Sequence, residues 1–458
     1  MNKEFANSLK DKNVLVCGIA KSGISAALLL RDYQADVTVQ DLKEKEKADK
    51  ADIELLEENG VRLYMGKNPD DIIHMYHLIV LSPGIPTDLD FIKKAKEKGI
   101  EIIGDVELAY KLSDAPVIGI TGTNGKTTTT TLMGKIAEAY NPKTKVVGNI
   151  GIPYCDQVPS LGEDALAVAE LSSFQLESIE EFKPHVCAVL NITPDHLNRH
   201  HSLENYIAAK ERIFENQTQE DFTILNYNDE KTRDMAKRTK GKVIFFSLMG
   251  KDKSGVFSDE KSIYINCGEN VQKLIDIDEL NILGDHNVEN AMAAIACAHA
   301  ANIPMDTVIE QLKAFTAVEH RIEYCGEVRG VKYYNDSKGT NPDASIKAVT
   351  AMKRPICLIA GGYDKGSDFD EWISYFEGRV KFVAVIGQVK EKIVSSLEKA
   401  GFKNYECADT FTQAIDLCHK NAKEGDCVLL SPACASWDMV KSYEERGNIF
   451  KDYVKGLK

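Results

Sequence analysis

Short apolar runs rich in β-branched residues alternate with stretches of helical periodicity along almost the whole chain. The amino-terminal part contains the runs NVLVCGI, DVTVQD and LIVLSPGIP, and a helix is predicted from about Ser22 to Tyr33 between the first two. This alternation is typical of βαβ units, in which helices cover a parallel sheet. We therefore predict a small Rossmann-like domain at the amino terminus.

The same alternation continues through the rest of the chain. Later strands are predicted at ALAVAE, HVCAVLNIT, FTILNYN, KVIFFS, GVKYYND, PICLIAGG, VKFVAVIG and CVLLSPA. The length of 458 residues suits about three domains. We predict an α/β protein with a Rossmann-like domain at 1–114, a central α/β domain at 115–318 and a second Rossmann-like domain at 319–458.

The overall charge restricts the class of partner. The chain has 56 Lys and Arg against 70 Asp and Glu, a net charge of −14. This balance disfavours a nucleic-acid or anionic membrane surface, and no apolar run approaches membrane-spanning length. The eleven cysteines are scattered without a CxxC pair, which fits reduced thiols. We expect a cytoplasmic protein that binds neither nucleic acid nor membrane.

The strongest chemical motif is VIGITGTNGKTT, from Val117 to Thr128. An apolar strand here opens into a glycine-rich turn and then a helix, the arrangement that cradles nucleotide phosphates. Gly122 and Gly125 allow backbone N–H groups to approach a polyphosphate, Lys126 supplies charge, and the Thr127 hydroxyl can bind Mg²⁺. The motif predicts an NTP site in a tighter loop than the generic Walker pattern, and the central domain is therefore predicted to be a P-loop ATPase-type domain.

Two glycine turns follow strands of the first domain. The turn GIAKSG, Gly18 to Gly23, departs from the dinucleotide fingerprint at Ala20, and a second glycine turn runs from Ser82 through Pro83, Gly84 and Ile85 to Pro86. Asp41 ends the second strand, where a ribose or base contact is expected. A turn without any ligand is the alternative, but two such turns at one sheet edge favour a nucleotide-like ligand.

Three residues of the central domain are candidates for metal chemistry. Glu170 ends the strand ALAVAE and could bind Mg²⁺ or cap the next helix. His196 could belong to a Zn²⁺ pair with His200, bind Mg²⁺, or be a loop histidine without a ligand. Lys210 lies in an amphipathic helix, where a solvated lysine is the simplest interpretation.

Polar turns follow the strands of the last domain. They are NDSKGTNP, AGGYDKGSDF and SPACASWD, and His320 and Arg321 stand at the domain junction. Each could be turn chemistry alone, but together they predict a site for a small anion.

These motifs, with ELSSFQLE, YIAAKERIF and LGDHNVENAMAA, together resemble the Mur ligases over nearly the whole chain. DSKGTN and LSPACAS resemble the branch that adds D-glutamate. The resemblance implies ATP-driven amide formation between UDP-N-acetylmuramoyl-L-alanine and D-glutamate through an acyl phosphate. Such a ligase serves cytoplasmic peptidoglycan synthesis, and hence cell-wall biogenesis, cell shape and cell division. The resemblance further implies a monomer with small-molecule substrates.

The resemblance also implies residue roles. Catalysis falls to Lys126, His196 and Lys210, with Lys210 carbamylated, and the Mg²⁺ ligands are Thr127, Glu170, His196 and Lys210. ATP would contact Gly122, Thr123, Asn124, Gly125, Lys126, Thr127, Thr128, Asn287, Asn290, Arg321 and Asp336. The substrates would contact Gly18, Lys21, Ser22, Asp41, Ser82, Pro83, Gly84 and Asn149 at the UDP-sugar, and Lys338, Thr340, Lys365, Ser436 and Tyr443 at D-glutamate.

Three other functions remain open on the sequence. A different amide ligase of the same superfamily would share the motifs, for example one that adds L-alanine or extends folate. An NTP-dependent switch would bind nucleotide without amino-acid-dependent turnover. A dehydrogenase is disfavoured because Ala20 breaks the dinucleotide fingerprint and the P-loop would have no role.

Overall fold

Three β-sheets organise the protein, seen in a computed structural model that describes residues 2–250, 254–268, 270–364 and 366–457. The strands are β1 (Asn13–Cys17), β2 (Asp36–Asp41), β3 (Arg62–Met65), β4 (Leu78–Leu81), β5 (Glu101–Gly104), β6 (Val117–Thr121), β7 (Thr144–Gly148), β8 (Leu166–Glu170), β9 (Val186–Val189), β10 (Phe222–Asn226), β11 (Lys242–Ser247), β12 (Gly255–Ser258), β13 (Ser262–Asn266), β14 (Gln272–Asp276), β15 (Glu323–Val328), β16 (Val331–Asn335), β17 (Ile356–Gly361), β18 (Val380–Ile386), β19 (Tyr405–Cys407) and β20 (Cys427–Leu430).

The helices fall between these strands and cover the sheets. They are α1 (Lys3–Ser8), α2 (Lys21–Asp32), α3 (Lys50–Glu58), α4 (Asp90–Glu97), α5 (Asp105–Leu112), α6 (Lys126–Tyr140), α7 (Tyr154–Gln157), α8 (Ser173–Leu176), α9 (Leu197–His200), α10 (Leu203–Glu211), α11 (Glu230–Met235), α12 (Asp285–Ala300), α13 (Met305–Ala314), α14 (Pro342–Ala351), α15 (Asp370–Ser374), α16 (Lys390–Lys399), α17 (Phe411–Asn421) and α18 (Tyr443–Gly456). None of the described helices combines the length and apolarity that crossing a bilayer requires.

The amino-terminal sheet is parallel, with the order β3-β2-β1-β4-β5. Strand β1 lies in the middle, and Val14 pairs with Val37 on one side and Leu78 on the other. The predicted helix after β1 is α2, shifted by one residue at each end. This order is that of a Rossmann-like fold, which confirms the prediction for this part of the chain.

The central sheet has nine strands in the order β14-β13-β12-β11-β10-β9-β6-β8-β7. The strands from β7 to β12 pair in parallel, and β12, β13 and β14 form antiparallel pairs at one edge. The predicted P-loop strand is β6, and it lies between β8 and β9. The loops after β6, β8 and β9 therefore start from neighbouring carboxyl ends of one sheet, the usual ligand-binding edge of an α/β fold.

The carboxyl-terminal sheet has the order β15-β16-β20-β17-β18-β19. Its strands are parallel except for β15, which pairs with β16 in antiparallel fashion. The predicted polar turns follow β16, β17 and β20, which are neighbours in this sheet. The three-domain α/β architecture is thereby confirmed, while domain boundaries after residues 114 and 318 stay predictions.

Contacts divide the chain into two compact units. The first comprises Met1–Ile277 and Glu289–Leu312, and it holds the amino-terminal and central sheets. The second comprises Asp278–Val288 and Lys313–Lys458, and it holds the carboxyl-terminal sheet.

Glu107 joins the amino-terminal domain to the central domain inside the first unit. Its carboxylate is fully buried and accepts hydrogen bonds from the backbone N–H groups of Glu180 (2.8 Å), Glu181 (2.9 Å) and Phe182 (2.9 Å). The N–H of Gly104 also donates to the carbonyl of Ser178 at 2.9 Å. Helix α5 therefore fixes the segment from 178 to 182 to the end of β5.

The eleven cysteines are all free thiols in the structure. Cys267 and Cys407 are exposed, Cys325 is half-buried, and the others are buried. This distribution agrees with the prediction of reduced thiols.

Candidate active site

The loop after β6 has a backbone that requires glycine at two positions. Gly122 and Gly125 adopt positive φ angles of 151° and 85°. A Cβ on Gly125 would lie 2.3 Å from Oδ1 of Asn290, and one on Gly122 would lie 3.0 Å from Cβ of Leu190. Helix α6 begins directly after, at Lys126, so its amino-terminal N–H groups and the positive end of its dipole face the loop. Thr127 and Thr128 are buried in its first turn.

Two lysines meet at the carbonyl of Gly122. The Lys126 ammonium donates to the carbonyls of Gly122 (2.9 Å) and Thr123 (2.8 Å). The Lys210 ammonium donates to the same Gly122 carbonyl (2.8 Å) and to Oγ1 of Thr121 (3.3 Å). Lys210 is 1% exposed. The interpretation of Lys210 as a solvated helix lysine is therefore wrong.

Burial determines the proton affinity of Lys210. It lowers the pKa of the ammonium well below its usual value, and the positive charge of Lys126 lowers it further. Asp195 and Glu170 act in the opposite direction with smaller effects. The neutral amine is thus accessible at this position, unlike at a lysine in water.

Glu170 offers a buried oxygen to a ligand. The residue is 1% exposed, and its Oε1 accepts a hydrogen bond from Nδ2 of Asn149 at 2.8 Å. Its Oε2 has no hydrogen-bond partner among the described residues. Helix α8 is capped by Ser172 and Gln175, so Glu170 is not the cap of that helix. An unpartnered buried carboxylate oxygen suits a cation.

His196 and His200 do not act as a pair. His196 has a positive φ of 53°, and its half-exposed ring lies 4.9 Å from the ring of Phe174. His200 is buried, with Nε2 2.9 Å from Oγ of Ser173 and Nδ1 3.2 Å from Oε1 of Glu177. Both ring nitrogens of His200 are engaged, and the described residues contain no cluster of three His, Cys, Asp or Glu side chains suited to a metal. The structure therefore gives no support to a Zn²⁺ pair.

Residues of the loop after β9 hold the tip of the P-loop. Asn191 exchanges two hydrogen bonds with the backbone of Asn124, at 2.8 and 3.0 Å. Oγ1 of Thr123 donates to the carbonyl of Thr193 at 3.1 Å and lies 3.1 Å from the hydroxyl of Tyr206. Sequence reasoning missed Asn191 and Tyr206, since only the fold brings them to the P-loop.

The two glycine turns of the amino-terminal domain lie against each other. A Cβ on Gly18 or Gly23 would lie within 2.8 Å of Oγ of Ser82. This hydroxyl is buried and has no hydrogen-bond partner among the described residues. Asp41 shapes the first turn, since its carboxylate accepts from the N–H groups of Ile19 (2.9 Å) and Lys43 (2.8 Å).

The predicted adenine-side residues Asn287 and Asn290 both lie in α12. Asn290 belongs to the first unit, where its Oδ1 accepts from Oγ1 of Thr129 in α6 at 3.2 Å. Asn287 belongs to the second unit, where its Nδ2 donates to the carbonyl of Leu283 at 2.8 Å.

The polar turns of the second unit surround a buried arginine. Arg446 is 2% exposed and donates from Nε to Oγ of Ser337 (2.9 Å) and from Nη2 to the Ser337 carbonyl (2.8 Å). It also donates to the carbonyls of Cys434 (3.0 Å) and Ala435 (3.3 Å). Burial lowers the pKa of its guanidinium to about 10. Arg446 thereby ties the turn after β16 to the turn after β20.

Three of the predicted D-glutamate residues, Lys338, Ser436 and Tyr443, adjoin or contact residues that Arg446 binds. Ser436 is buried beside Ala435, and the Lys338 ammonium lies 5.3 Å from the ring centre of Tyr443. Asp336 accepts from Oγ of Ser431 at 2.7 Å, and burial raises its carboxyl pKa to about 7. Lys365 lies outside the described residues.

Comparison with known proteins gives the family. Three family profiles match: the Mur ligase MurD-like N-terminal domain over 12–104, the Mur ligase middle domain over 120–298, and the Mur ligase glutamate ligase domain over 320–434. The UDP-N-acetylmuramoylalanine–D-glutamate ligase of Lachnospira eligens is 49% identical over 98% of this chain and 100% of that protein. The chain belongs to the Mur ligase family. The ligase of the same name from Clostridioides difficile is 47% identical over 98% of the chain and 100% of that protein.

Solved structures show the same fold at low identity. MurF from Acinetobacter baumannii matches with a TM-score of 0.64 and 14% identity, covering 99% of this chain and 98% of that chain. The UDP-N-acetylmuramate-alanine ligase MurC from Thermotoga maritima gives 0.62 and 19%, covering 98% and 100%.

In this Mur ligase the fold brings together several of the residues that the sequence singled out. Lys126, Lys210 and Glu170 gather at the end of β6, and Ser82 meets the first glycine turn. Asn149, predicted at the sugar site, contacts Glu170. Sequence reasoning missed Arg446, for which the only signal is a lone arginine three positions after Tyr443.

Proposed function

We propose that this Mur ligase forms the amide between UDP-N-acetylmuramoyl-L-alanine and D-glutamate, with release of ADP and phosphate. The observation that carries the proposal is the meeting of Lys126, Lys210 and the unpartnered Glu170 oxygen at a P-loop, in a chain whose relatives bear that name. The enzyme acts in peptidoglycan precursor synthesis in the cytoplasm, as a monomer.

Lys126 neutralises phosphate charge. In the structure its ammonium bonds to two carbonyls of its own loop. A phosphate oxygen is a charged acceptor and forms a stronger hydrogen bond than a carbonyl does, so ATP draws the ammonium away from these carbonyls. Carboxylate attack on the γ-phosphate brings anions together, and this cation lowers the resulting repulsion.

The donor set of the site fits Mg²⁺. Glu170 supplies a buried oxygen that no described residue binds, Thr127 a hydroxyl, and His196 a half-exposed imidazole. These residues and a modified Lys210 would hold the ion, which would supply charge neutralisation at the phosphates.

Lys210 acts as a carbamate. Its lowered pKa favours the neutral amine, whose nitrogen adds to the carbon of CO₂ while a proton leaves. The product is an anion with two oxygens. It attracts the Lys126 ammonium, which the neutral amine does not, and it adds oxygen donors of the kind that Mg²⁺ prefers.

The remaining residues bind the substrates and the nucleotide. The uridine-linked substrate is held by Gly18, Lys21, Ser22, Asp41, Ser82, Pro83, Gly84 and Asn149, and D-glutamate by Lys338, Thr340, Lys365, Ser436 and Tyr443. The nucleotide is held by Gly122 to Thr128, Asn287, Asn290, Arg321 and Asp336. Lysine and hydroxyl donors suit the two carboxylates of D-glutamate.

Phosphate release tests the function. The protein is mixed with ATP, Mg²⁺ and UDP-N-acetylmuramoyl-L-alanine, with and without D-glutamate, and the Lys126→Ala variant serves as the inactive control. We expect release that depends on D-glutamate. Equal release without the amino acid contradicts the proposal, and release only with UDP-N-acetylmuramate and L-alanine indicates another branch of the family.

A further inference from the structure

Arg199 connects three segments of the first unit. It lies in α9, three residues after His196, and its side chain is 15% exposed. Nη2 donates to Oε2 of Glu177 at 2.6 Å and to the carbonyl of Ile85 at 3.0 Å. Glu177 is the residue after α8 in the central domain, and Ile85 belongs to the second glycine turn of the amino-terminal domain.

Phe174 lies at the centre of this arrangement. The Arg199 guanidinium lies 5.1 Å from the centre of its ring, and the rings of His196 and His200 lie at 4.9 and 5.5 Å. Glu177 also contacts Nδ1 of His200 at 3.2 Å. A displacement of Arg199 would therefore be felt both at the ring that packs on His196 and at the second glycine turn.

The turn from 82 to 86, which accepts the hydrogen bond from Arg199, is closed by a hydrogen bond of its own. The N–H of Ile85 donates to the carbonyl of Ser82 at 2.9 Å, which closes the turn. The carbonyl of the same residue, Ile85, accepts the hydrogen bond from Arg199 of the central domain. Ser82, at the start of the turn, packs against Gly18 of the first glycine turn. One guanidinium thus contacts the second glycine turn, against which the first glycine turn packs.

We propose that Arg199 is a positioning residue that fixes the turn from 82 to 86 relative to His196 and thereby sets the affinity for the uridine-linked substrate. The inference rests on the proposed function, which assigns these turns to that substrate. Arg199 acts through the backbone of Ile85 and is not a catalytic residue.

Arginine suits this position because Nε and Nη2 of its planar guanidinium both donate to the Glu177 carboxylate while Nη2 also donates to the Ile85 carbonyl. A guanidinium presents several N–H groups in fixed directions and stacks on an aromatic face, whereas a lysine ammonium is a compact charge on a flexible stem. Arg199→Lys keeps the ion pair with Glu177 but loses the bond to Ile85 and the stacking on Phe174. The substitution therefore removes the hydrogen bond to the turn while the positive charge at position 199 is kept.

The first measurement does not depend on the enzymatic activity of the protein. Amide hydrogen exchange of Ile85 is compared in the wild type, in Arg199→Lys and in the control Arg238→Lys. Arg238 donates to the carboxylates of Glu211 (3.0 Å) and Asp234 (2.7 Å) in the central domain, and none of its described contacts involves Glu177. We expect faster exchange at Ile85 in Arg199→Lys and unchanged exchange there in Arg238→Lys.

The second measurement is steady-state kinetics with each substrate varied in turn. Loss of one hydrogen bond from a charged donor predicts that Arg199→Lys raises KM for UDP-N-acetylmuramoyl-L-alanine about tenfold. KM for ATP and for D-glutamate should change by less than about twofold, since their binding residues lie elsewhere. Glu177→Gln, which weakens the ion pair that orients Arg199, should shift exchange at Ile85 in the same direction by less.

Each contrary outcome overturns the inference. Unchanged exchange at Ile85 in both Arg199→Lys and Glu177→Gln shows that the turn does not depend on Arg199. Faster exchange with an unchanged KM removes the link to affinity, and an equal rise in all three KM values indicates a general structural role. A wild-type protein without D-glutamate-dependent release refutes the proposed function, while the exchange comparison still decides whether Arg199 positions the turn.

Discussion

Replacement of Arg446 by lysine should disturb the proposed D-glutamate site more than the proposed nucleotide and uridine-linked substrate sites. The guanidinium makes the four described hydrogen bonds to Ser337, Cys434 and Ala435. A lysine ammonium on a flexible stem keeps about one of them, so about three are lost. At about 1 kcal/mol net for each bond, the second unit loses about 3 kcal/mol of stability. The change should also loosen the two turns that carry Lys338 and Ser436.

The assay combines thermal unfolding with the phosphate-release kinetics. We expect Arg446→Lys to lower the Tm and to raise KM for D-glutamate at least about tenfold, because a shift of about 1.4 kcal/mol in binding already gives that factor. Arg354→Lys is the matched control, since Arg354 also donates to a backbone carbonyl, that of Gly330 at 3.0 Å, in the same unit. An Arg446→Lys variant with an unchanged KM for D-glutamate refutes the positioning argument, whatever its Tm.

Three further predictions concern the first unit. Lys210→Ala should be nearly inactive and regain activity with short-chain carboxylic acids that take the place of the carbamate; phosphate-release assays without rescue contradict the carbamate. Glu107→Gln should lower the free energy of unfolding by about 3 kcal/mol in urea titrations, because the buried side chain loses hydrogen bonds to a charged acceptor. The control Glu181→Gln, at an exposed carboxylate, should lower it by about 1 kcal/mol or less. Equal effects of the two substitutions would contradict a stabilising role of the hydrogen bonds to Glu107. Burial raises the pKa of Asp105 to about 6 from 3.8, so the unfolded chain loses its proton first and stability should fall as pH rises from about 4 to about 6, then stay constant. Asp105→Asn should flatten this part of the stability curve and add up to about 3 kcal/mol at pH 8, and a curve like that of the wild type contradicts the shifted pKa.

Much of the fold could be predicted from periodicity, because parallel strands buried on both faces have short, strongly apolar sequences. The strands ALAVAE and HVCAVLNIT are β8 and β9, and the P-loop strand lies between them as its motif requires. The antiparallel edge formed by β12, β13 and β14 was missed, since its short strands are separated by polar residues and lack a strong apolar run.

The site was less predictable because the environment of its residues depends on burial and on contacts with residues distant in the sequence. The sequence around Lys210 has the pattern of a solvated helix, and only the fold shows its ammonium bonded to Gly122. Arg199 and Arg446 contact partners more than a hundred positions away in the chain, Ile85 and Ser337, so no local pattern identifies them. The backbone of the loop after β6, with its positive φ angles at Gly122 and Gly125, could be predicted from the motif because that loop is built from one continuous segment.

The arrangement of the thiols makes the chain suited to spectroscopic labelling. Cys267 lies in the first unit and Cys407 in the second, and both cysteines are exposed. The buried cysteines are shielded from thiol reagents. Cys325, which is half-buried, has its pKa raised to about 12 by burial and should react slowly. A pair of spin labels or dyes could therefore be attached without mutagenesis. The distance between them would report directly whether nucleotide and substrates change the separation of the two units.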